Sequence, residues 1–313
     1  MADRIFSTAV VNGATGVVGS ALVRRLLDKR VKVFAVVRPD CVRKENIPKE
    51  AEIINCGLNE ILSLPEKIPD GADMYFHLAW ASTIGPGRND MIAQTENIRA
   101  AVEAVQSCRR MHVKVFVGAG SQAEYGRING KVTPEMPCFP NSGYGMAKLC
   151  AGQMTRSECG KYGIRHVWAR LLSVYGPHDG PLSVMPMIIR SLKNREIPPL
   201  TESEQMWDFI YADDAADALI AMAENGRDGA VYPVGSGKAR MLKSYFEILR
   251  DTIDPEAPLG FGKITADPGK PVNLCADIRT LKTDTGFEPK ISFEEGIRRT
   301  VESFDKKEDR TAT

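Results

Sequence analysis

Short apolar runs alternate along the chain with longer stretches in which apolar residues recur every three or four positions. The short runs predict β-strands at residues 8–11, 31–37, 52–55, 74–79, 113–117 and 166–172. Helical spacing marks residues 17–27, where Val18, Leu22 and Leu26 share one face, and it continues in residues 89–108 and 142–159. This alternation is typical of an α/β fold, in which helices wrap a doubly wound parallel sheet.

The regular alternation weakens after about Gly176, where prolines occur at positions 177, 181, 186, 198 and 199. This change predicts a second, smaller mixed α/β lobe that binds a substrate. We assign residues 1–176 plus 207–238 to the sheet domain, and residues 177–206 plus 239–313 to the substrate lobe. The functional site is expected in the cleft between them.

A glycine cluster, NGATGVVG, joins the first predicted strand to the first predicted helix. Gly13 permits a tight turn, Gly16 lets the backbone approach a pyrophosphate, and Gly19 allows the helix to pack closely on the strand. The strand–helix–strand context favours a dinucleotide site over an ordinary turn. The sheet domain, residues 1–176 plus 207–238, is therefore predicted to be a dinucleotide-binding domain of the Rossmann type. The GxxGxxG spacing is similar to that of short-chain dehydrogenases/reductases. The predicted cofactor loop consists of Gly13, Thr15, Gly16, Val17, Val18 and Gly19.

A second motif, YGMAK, places Tyr144 and Lys148 on one face of a predicted helix. An ammonium beside a phenol lowers the pKa of the tyrosine from its usual value of about 10. The phenol can then exchange a proton with a substrate oxygen while a hydride moves to or from a nicotinamide. Ser121 follows a predicted strand at the sheet edge where ligands bind, and its hydroxyl could bond the same oxygen. The predicted catalytic residues are Ser121, Tyr144 and Lys148.

Together these motifs resemble the extended short-chain dehydrogenase/reductase family, the epimerase/dehydratase group that acts on nucleotide sugars. Further matching segments are FHLAW at 76–80, RLLSVYGP at 170–177, WDFIYADDAADAL at 207–219 and GFEPKISFEEGIRRTV at 286–301. The resemblance implies that Tyr144 and Lys148 also contact the cofactor, together with Leu78, Ala79 and Asn97. It implies a substrate site formed by Trp80, Ser121, Gln122, Tyr144, Ser173 and Trp207.

Several positions depart from the family pattern. Family dehydratases carry an Asp-Glu pair directly after the catalytic serine or threonine, where this chain has Gln122 and Ala123. Dehydration needs one side chain as an acid and another as a base to remove water across two carbons of the sugar. The absence of the Asp-Glu pair therefore disfavours this reaction. Ser173 replaces an asparagine, and Trp207 replaces an arginine that commonly meets the nucleotide diphosphate. The cations that could replace this arginine are Arg190, Lys193 and Arg240.

Arg38 ends the second predicted strand, 19 residues after Gly19. An acidic residue there would bind both ribose hydroxyls of NAD, whereas an arginine can pair with the 2′-phosphate of NADP. The alternative is a solvated arginine with Asp40 turned back toward the ribose. The sequence therefore predicts NADP as the cofactor, with NAD as the alternative.

Composition sets further limits. The chain has 313 residues, 43% of them hydrophobic, and a net charge of +1, which gives no general attraction to nucleic acids or membranes. We see no metal-binding motif, signal sequence or membrane span. Seven cysteines without CxxC spacing favour free thiols in the cytoplasm. The resemblance also implies a homodimer formed through residues 92–108 and 142–159.

Three functions remain open at this point. The first is NADP(H)-dependent reduction of a keto group, at sugar C4, on a nucleotide-activated sugar; Arg38 favours it, because NADPH suits net reduction. The second is a nucleotide-sugar epimerase, which oxidises and re-reduces one carbon and retains its NAD(P). The third is a non-catalytic NADP-binding sensor, which the presence of Ser121, Tyr144 and Lys148 disfavours.

Overall fold

A computed structural model of the protein describes residues 6–267 and 272–311, with side chains up to residue 305. Its strands are β1 (Thr8–Asn12), β2 (Lys32–Val37), β3 (Glu52–Asn55), β4 (Met74–His77), β5 (Val115–Ser121), β6 (Asn129–Val132), β7 (Arg165–Leu171), β8 (Ser173–Tyr175), β9 (Met206–Trp207), β10 (Phe209–Tyr211), β11 (Ala230–Val234), β12 (Arg240–Met241) and β13 (Asn273–Ala276). Its α-helices are α1 (Val17–Asp28), α2 (Leu64–Lys67), α3 (Met91–Arg110), α4 (Gly143–Tyr162), α5 (Val184–Lys193), α6 (Ala212–Asn225), α7 (Leu242–Ile253), α8 (Arg279–Thr285) and α9 (Phe293–Thr311).

Seven strands form one parallel sheet in the order β3-β2-β1-β4-β5-β7-β11. The chain leaves β1 toward one edge of the sheet and returns through β4 toward the other. At such a reversal the connections after neighbouring strands diverge, and they open a crevice at the carboxyl ends of the strands. Residues Asn12 of β1 and His77 of β4 therefore border the place where a ligand binds in sheets of this kind.

Helices cover both faces of the sheet because successive strand residues point to opposite sides. Val11 lies in one apolar cluster with Leu22 of α1 and Leu219 of α6. Val10, the preceding residue, lies in a second cluster with Val105 of α3 and Cys159 of α4. This burial on both faces explains why the strands appear in the sequence as almost continuous apolar runs, and it confirms the predicted doubly wound α/β fold.

A third apolar cluster lies away from the sheet and joins α5, α7 and α9 through Ile188, Leu249 and Ile297. Three two-stranded pairs accompany it: β8 with β10, β9 with β12, and β6 with β13. These elements supply the smaller mixed α/β region. The division at residues 1–176 plus 207–238 and 177–206 plus 239–313 remains a prediction.

Three predicted boundaries shift for identifiable reasons. Helix α3 begins at Met91 because the carboxylate of Asp90 caps it, accepting hydrogen bonds from the backbone N–H groups of Ile92 and Ala93 at 3.1 Å. Helix α4 continues to Tyr162, where Gly163 ends it in the left-handed conformation with φ of 66°. Strand β5 continues to Ser121, which places that side chain at the carboxyl ends of the sheet strands.

None of the helices within residues 6–267 and 272–311 is both long enough and apolar enough to cross a bilayer.

Two glycine substitutions test the packing of α1 against the glycine loop that follows β1. A Cβ atom at Gly19 would lie 2.1 Å from the carbonyl oxygen of Gly13, whereas one at Gly160 on α4 would have no atom within 4 Å. Gly19→Ala should therefore lower the free energy of unfolding by about 1–3 kcal/mol. Gly160→Ala, the matched control, should leave it unchanged or raise it by roughly 0.5–1 kcal/mol. Urea denaturation measures both, and equal stability of the two variants would contradict the packing described.

Candidate active site

The glycine loop brings three backbone segments together. Gly13 has φ of +91°, and a Cβ atom there would lie 2.6 Å from the backbone nitrogen of Ala79, in the loop after β4. Only glycine avoids that contact at little cost in this conformation. A Cβ atom at Gly16 would have no neighbour closer than 3.8 Å, so this residue faces open space at the start of α1. The loop thus leaves a backbone surface that a phosphate can approach.

A cavity of about 580 Å³ lies over this loop. Its size is in the range of cofactor sites, and the first turn of α1 carries no acidic residue that would repel phosphate. The residues present therefore fit a dinucleotide. The predicted residues that line the cavity are Gly13, Thr15, Gly16, Val17, Arg38, Leu78, Ala79 and Trp80.

Five other predicted cofactor residues do not line this cavity: Val18, Gly19, Asn97, Tyr144 and Lys148. Val18 and Gly19 lie in α1 behind the loop. The Oδ1 atom of Asn97 accepts a hydrogen bond from the backbone N–H of Ala81 at 2.8 Å, and its Nδ2 atom donates to the carbonyl oxygens of Ala81 and Ala93. Asn97 therefore holds the loop after β4 against α3.

Two charged residues at the cavity were missed by sequence reasoning. Arg43 lines it together with Arg38, whose Nε lies 3.9 Å from the carboxylate of Asp40. Asp179 also lines it, and burial raises the pKa of this carboxyl to about 6, against hydrogen bonds from Ser183 and Gly180 that lower it. Neither residue belongs to a motif, so only the fold places them beside the glycine loop.

The predicted catalytic residues meet near the carboxyl end of β5. Ser121 ends this strand, and its Oγ atom accepts a hydrogen bond from the backbone N–H of Ala123 at 3.2 Å. Tyr144 lies in the first turn of α4, near the Ser121 hydroxyl. The Nζ atom of Lys148 donates to the carbonyl oxygen of Ala119 at 2.6 Å and lies 5.8 Å from the centre of the Tyr144 ring. The arrangement can bind and protonate one substrate oxygen.

The pKa of Tyr144 differs from the sequence-based expectation. Burial raises it above its usual value, while the Ser121 hydroxyl and the positive charge of Arg88 lower it. Burial also lowers the pKa of Lys148 to about 7, against the charge of Glu124. The role of Lys148 in lowering the pKa of Tyr144 therefore stays a prediction; in this structure its Nζ atom donates to the carbonyl oxygen of Ala119.

Two side chains cover Tyr144. The guanidinium carbon of Arg88 lies 4.2 Å from the ring centre, and the Trp80 ring meets Tyr144 edge to face at 6.2 Å. The Nζ atom of Lys148 lies 3.7 Å from the centre of the Trp80 ring. Trp80 itself is fixed by a hydrogen bond from its Nε1 atom to Gln94 at 2.9 Å. Arg88 was not predicted, since it follows a Pro-Gly pair in a loop without a recognisable pattern.

Glu124 is turned inward. One carboxylate oxygen accepts hydrogen bonds from the backbone N–H of Ser121 at 2.8 Å and from Nε1 of Trp168 at 3.0 Å, and the other accepts from Nε of Arg170 at 2.7 Å. The side chain is fully buried. A carboxylate held in this way is not available as a second acid or base at the substrate.

The predicted substrate residues are divided between two places. Trp80, Ser121 and Tyr144 lie at the reacting end, whereas Ser173 and Trp207 line a second cavity of about 560 Å³. The Nε1 atom of Trp207 donates to the Ser173 hydroxyl at 2.8 Å. Gln122 lines neither cavity, and its Oε1 atom is buried without a hydrogen-bond partner among the described residues.

Comparisons with known proteins agree with this geometry. Residues 9–235 match the model of the NAD dependent epimerase/dehydratase family. The chain is 25% identical over 307 residues to YtcB of Bacillus subtilis, named as an uncharacterized UDP-glucose epimerase; the match covers 92% of this chain and 95% of YtcB.

Two solved structures have the same overall fold as this chain. The UDP-N-acetylglucosamine 4-epimerase of Methanobrevibacter ruminantium, in complex with UDP-N-acetylmuramic acid, is 28% identical with a TM-score of 0.83, covering 96% of this chain and 99% of that one. The UDP-glucuronic acid 4-epimerase of Bacillus cereus, in complex with NAD, has the same fold, with 22% identity, a TM-score of 0.83 and the same coverage.

Proposed function

The chain belongs to the NAD dependent epimerase/dehydratase family, and from this we propose that it is a nucleotide-sugar 4-epimerase that retains its cofactor. Two relatives that match it over nearly their whole length are named as a UDP-glucose epimerase and a UDP-N-acetylglucosamine 4-epimerase, and others of similar coverage are named as dTDP-glucose 4,6-dehydratases. This proposal takes the second of the three functions left open by the sequence and places it above net reduction of a keto sugar.

The observation that carries the proposal is that the site has one group for proton transfer, Tyr144, while Glu124 is occupied by Arg170 and Trp168. Removal of water across two carbons needs a second acid or base, whereas oxidation and reduction at one carbon do not. When bound, NAD(P) supplies the hydride acceptor and donor.

Each residue has a defined part in this proposal. Gly13 and Gly16 would hold the pyrophosphate, and Lys148 would bind the nicotinamide ribose. The Ser121 hydroxyl would hydrogen-bond the oxygen at C4 of the sugar. Tyr144, in its phenolate form, would take the proton from that oxygen as the alcohol becomes a ketone, and would return it when the alcohol forms again with the opposite configuration. A non-catalytic sensor would not need this arrangement.

A second candidate, NADP(H)-dependent reduction of a keto sugar, is favoured by Arg38 and Arg43. Both line the cavity near the end of β2, where the adenosine ribose lies in this fold. Two guanidinium groups can pair with a 2′-phosphate, which NADP has and NAD lacks. The B. cereus epimerase was solved with NAD. If both arginines bind a 2′-phosphate, this chain would differ from that epimerase by preferring NADP.

We expect Tyr144→Phe to keep its fold and its cofactor binding and to lose about 10²–10⁴-fold in turnover. The assay is chromatographic separation of 4-epimers formed from UDP-glucose, UDP-N-acetylglucosamine and UDP-glucuronic acid. Tyr162→Phe, on the same helix, is the matched control and should keep full turnover. Ser121→Ala should cost less than Tyr144→Phe, since it removes one hydrogen bond to the reacting oxygen. Turnover by Tyr144→Phe at the wild-type rate would refute the assignment.

The cofactor preference has its own test. If Arg38 and Arg43 bind a 2′-phosphate, NADPH should bind roughly ten- to a hundredfold more tightly than NADH, since a charged hydrogen bond is worth about 1.5–3 kcal/mol. The preference should shrink as salt rises. Arg38→Asp should reverse it, and Arg109→Ala, an exposed arginine outside the cavity, should not change it. Fluorescence titration of both cofactors provides the measurement. Equal affinities of the wild type for NADH and NADPH would remove the support for NADP(H)-dependent reduction and leave the epimerase as the better function.

We also propose a homodimer formed through α3 and α4. Met146 and Met154 are spaced eight residues apart along one side of α4 and are 47% and 46% exposed, and Ile92 on α3 is 77% exposed. Burial of such side chains against a second copy would stabilise the association. Sedimentation at micromolar concentration should show a dimer, and Met154→Glu should shift it toward monomer. A wild-type monomer would reject the interface.

The cytoplasm remains our proposed location. All seven cysteines are free thiols, and Cys56, Cys108 and Cys159 are buried. Such thiols persist in a reducing compartment. Cell fractionation tests this proposal, and recovery of the protein outside the cytoplasm would reject it.

A further inference from the structure

The second cavity carries an unexpected distribution of charge. Its walls are mainly apolar, from Met187, Leu200 and Phe246 among others, with polar groups at Ser173, Thr201, Ser203, Gln205 and Trp207. Among the described residues that line it, Arg127 is the one with a positive charge, and Asp267 carries the opposite charge. A cavity of about 560 Å³ with one cation in an apolar wall is suited to a ligand that has both an apolar ring and an anionic group.

The residues at the family's usual positions cannot supply this charge. Trp207 stands where the pattern has an arginine, and its Nε1 atom donates to Ser173, which stands where the pattern has an asparagine. The two side chains satisfy each other and form a wall of the cavity. A phosphate that enters here therefore needs its cation from another part of the chain.

The three cations considered from the sequence are engaged elsewhere. Arg190 donates to the carbonyl oxygen of Pro181, and Lys193 forms an ion pair with Asp305. Arg240 forms an ion pair with Glu294 at 2.5 Å and lines a different cavity, formed with Tyr175 and Phe293. None of the three lines the cavity that holds Trp207.

Arg127 is held at the cavity by its backbone, although its side chain is exposed. The preceding Gly126 has φ of +81°, and a Cβ atom there would lie 1.9 Å from the carbonyl oxygen of Phe139. The following residue, Ile128, is buried, and its carbonyl oxygen accepts a hydrogen bond from the N–H of Val272 at 2.7 Å. The Arg127 guanidinium itself makes no hydrogen bond or ion pair with another described residue, so it is available to a ligand.

We propose that Arg127 binds the diphosphate of the nucleotide sugar, in place of the arginine that the family pattern puts at position 207. A guanidinium can bind two phosphate oxygens at once. Arg127 follows Ser121, the last residue of β5, by six residues. One short segment would therefore carry both the side chain that binds the diphosphate and the side chain that binds the sugar. This assignment rests on the proposed function.

Calorimetry with nucleoside diphosphates tests the assignment without relying on turnover. UDP, dTDP, CDP and GDP are titrated separately into protein saturated with NAD⁺ and NADP⁺, so that the cofactor cavity is filled. At least one should bind the wild type, and Arg127→Gln should weaken that binding roughly ten- to a hundredfold, the worth of a charged hydrogen bond. Arg127→Lys should retain part of the affinity, because it keeps the charge but not the two-point contact.

Three controls separate a direct contact from a structural effect. Lys131→Gln, at an exposed position on β6 that does not line the cavity, should bind like the wild type. The corresponding nucleoside, which lacks phosphate, should bind wild type and Arg127→Gln equally. NAD⁺ affinity and melting temperature should be unchanged in Arg127→Gln.

Two results would overturn the assignment, and they differ. Equal binding of a nucleoside diphosphate by wild type and Arg127→Gln would remove Arg127 from the site and leave the proposed function intact. Failure of all four diphosphates to bind the wild type would reject the nucleotide-sugar substrate class, and the assignment with it.

Discussion

A single buried carboxylate organises the reacting end of this protein. Glu124 accepts hydrogen bonds from the end of β5, through the backbone of Ser121, and from β7, through Trp168 and Arg170. Loss of one partner of a buried ion pair typically costs about 3–5 kcal/mol, because the other charge is left unpaired. The same contacts that fix the position of Ser121 also remove Glu124 from chemistry. This agrees with the proposed function, in which Tyr144 transfers the proton and one carbon is oxidised and reduced.

The segment that begins at Ser121 connects the reacting end of the site to the second cavity. At one end it presents the Ser121 hydroxyl to Tyr144, and six residues later it presents Arg127 to the cavity lined by Ser173 and Trp207. Gly126 is needed between them, since any larger residue would meet the carbonyl of Phe139. In our proposal, a substrate that reaches from Tyr144 into the second cavity would contact this one segment at its sugar and at its diphosphate.

Much of the fold could be predicted from the sequence because buried parallel strands and amphipathic helices leave strong patterns. Six of the seven strands of the sheet and the glycine turn follow from such patterns, whereas the edge strand β11 was not predicted. The motif spacing brought Ser121, Tyr144 and Lys148 into one group. Charged residues in loops were not predictable in this way. Arg88 over Tyr144, Arg43 beside Arg38, and Arg127 in the second cavity each reach their place through tertiary contacts rather than through spacing. The pKa of Tyr144 was also beyond the sequence, since it depends on burial.

The fate of the hydrogen at C4 of the sugar tests the central claim most directly. UDP-glucose carrying deuterium at C4, or whichever UDP-sugar the protein converts, is incubated with the purified protein without added cofactor, and the products are examined by NMR and mass spectrometry. A retained-cofactor epimerase gives the 4-epimer with the deuterium still at C4 and without accumulation of NAD(P)H. Absence of the epimer, together with stoichiometric consumption of NADPH by a 4-keto nucleotide sugar, would contradict this account and establish the protein as a reductase.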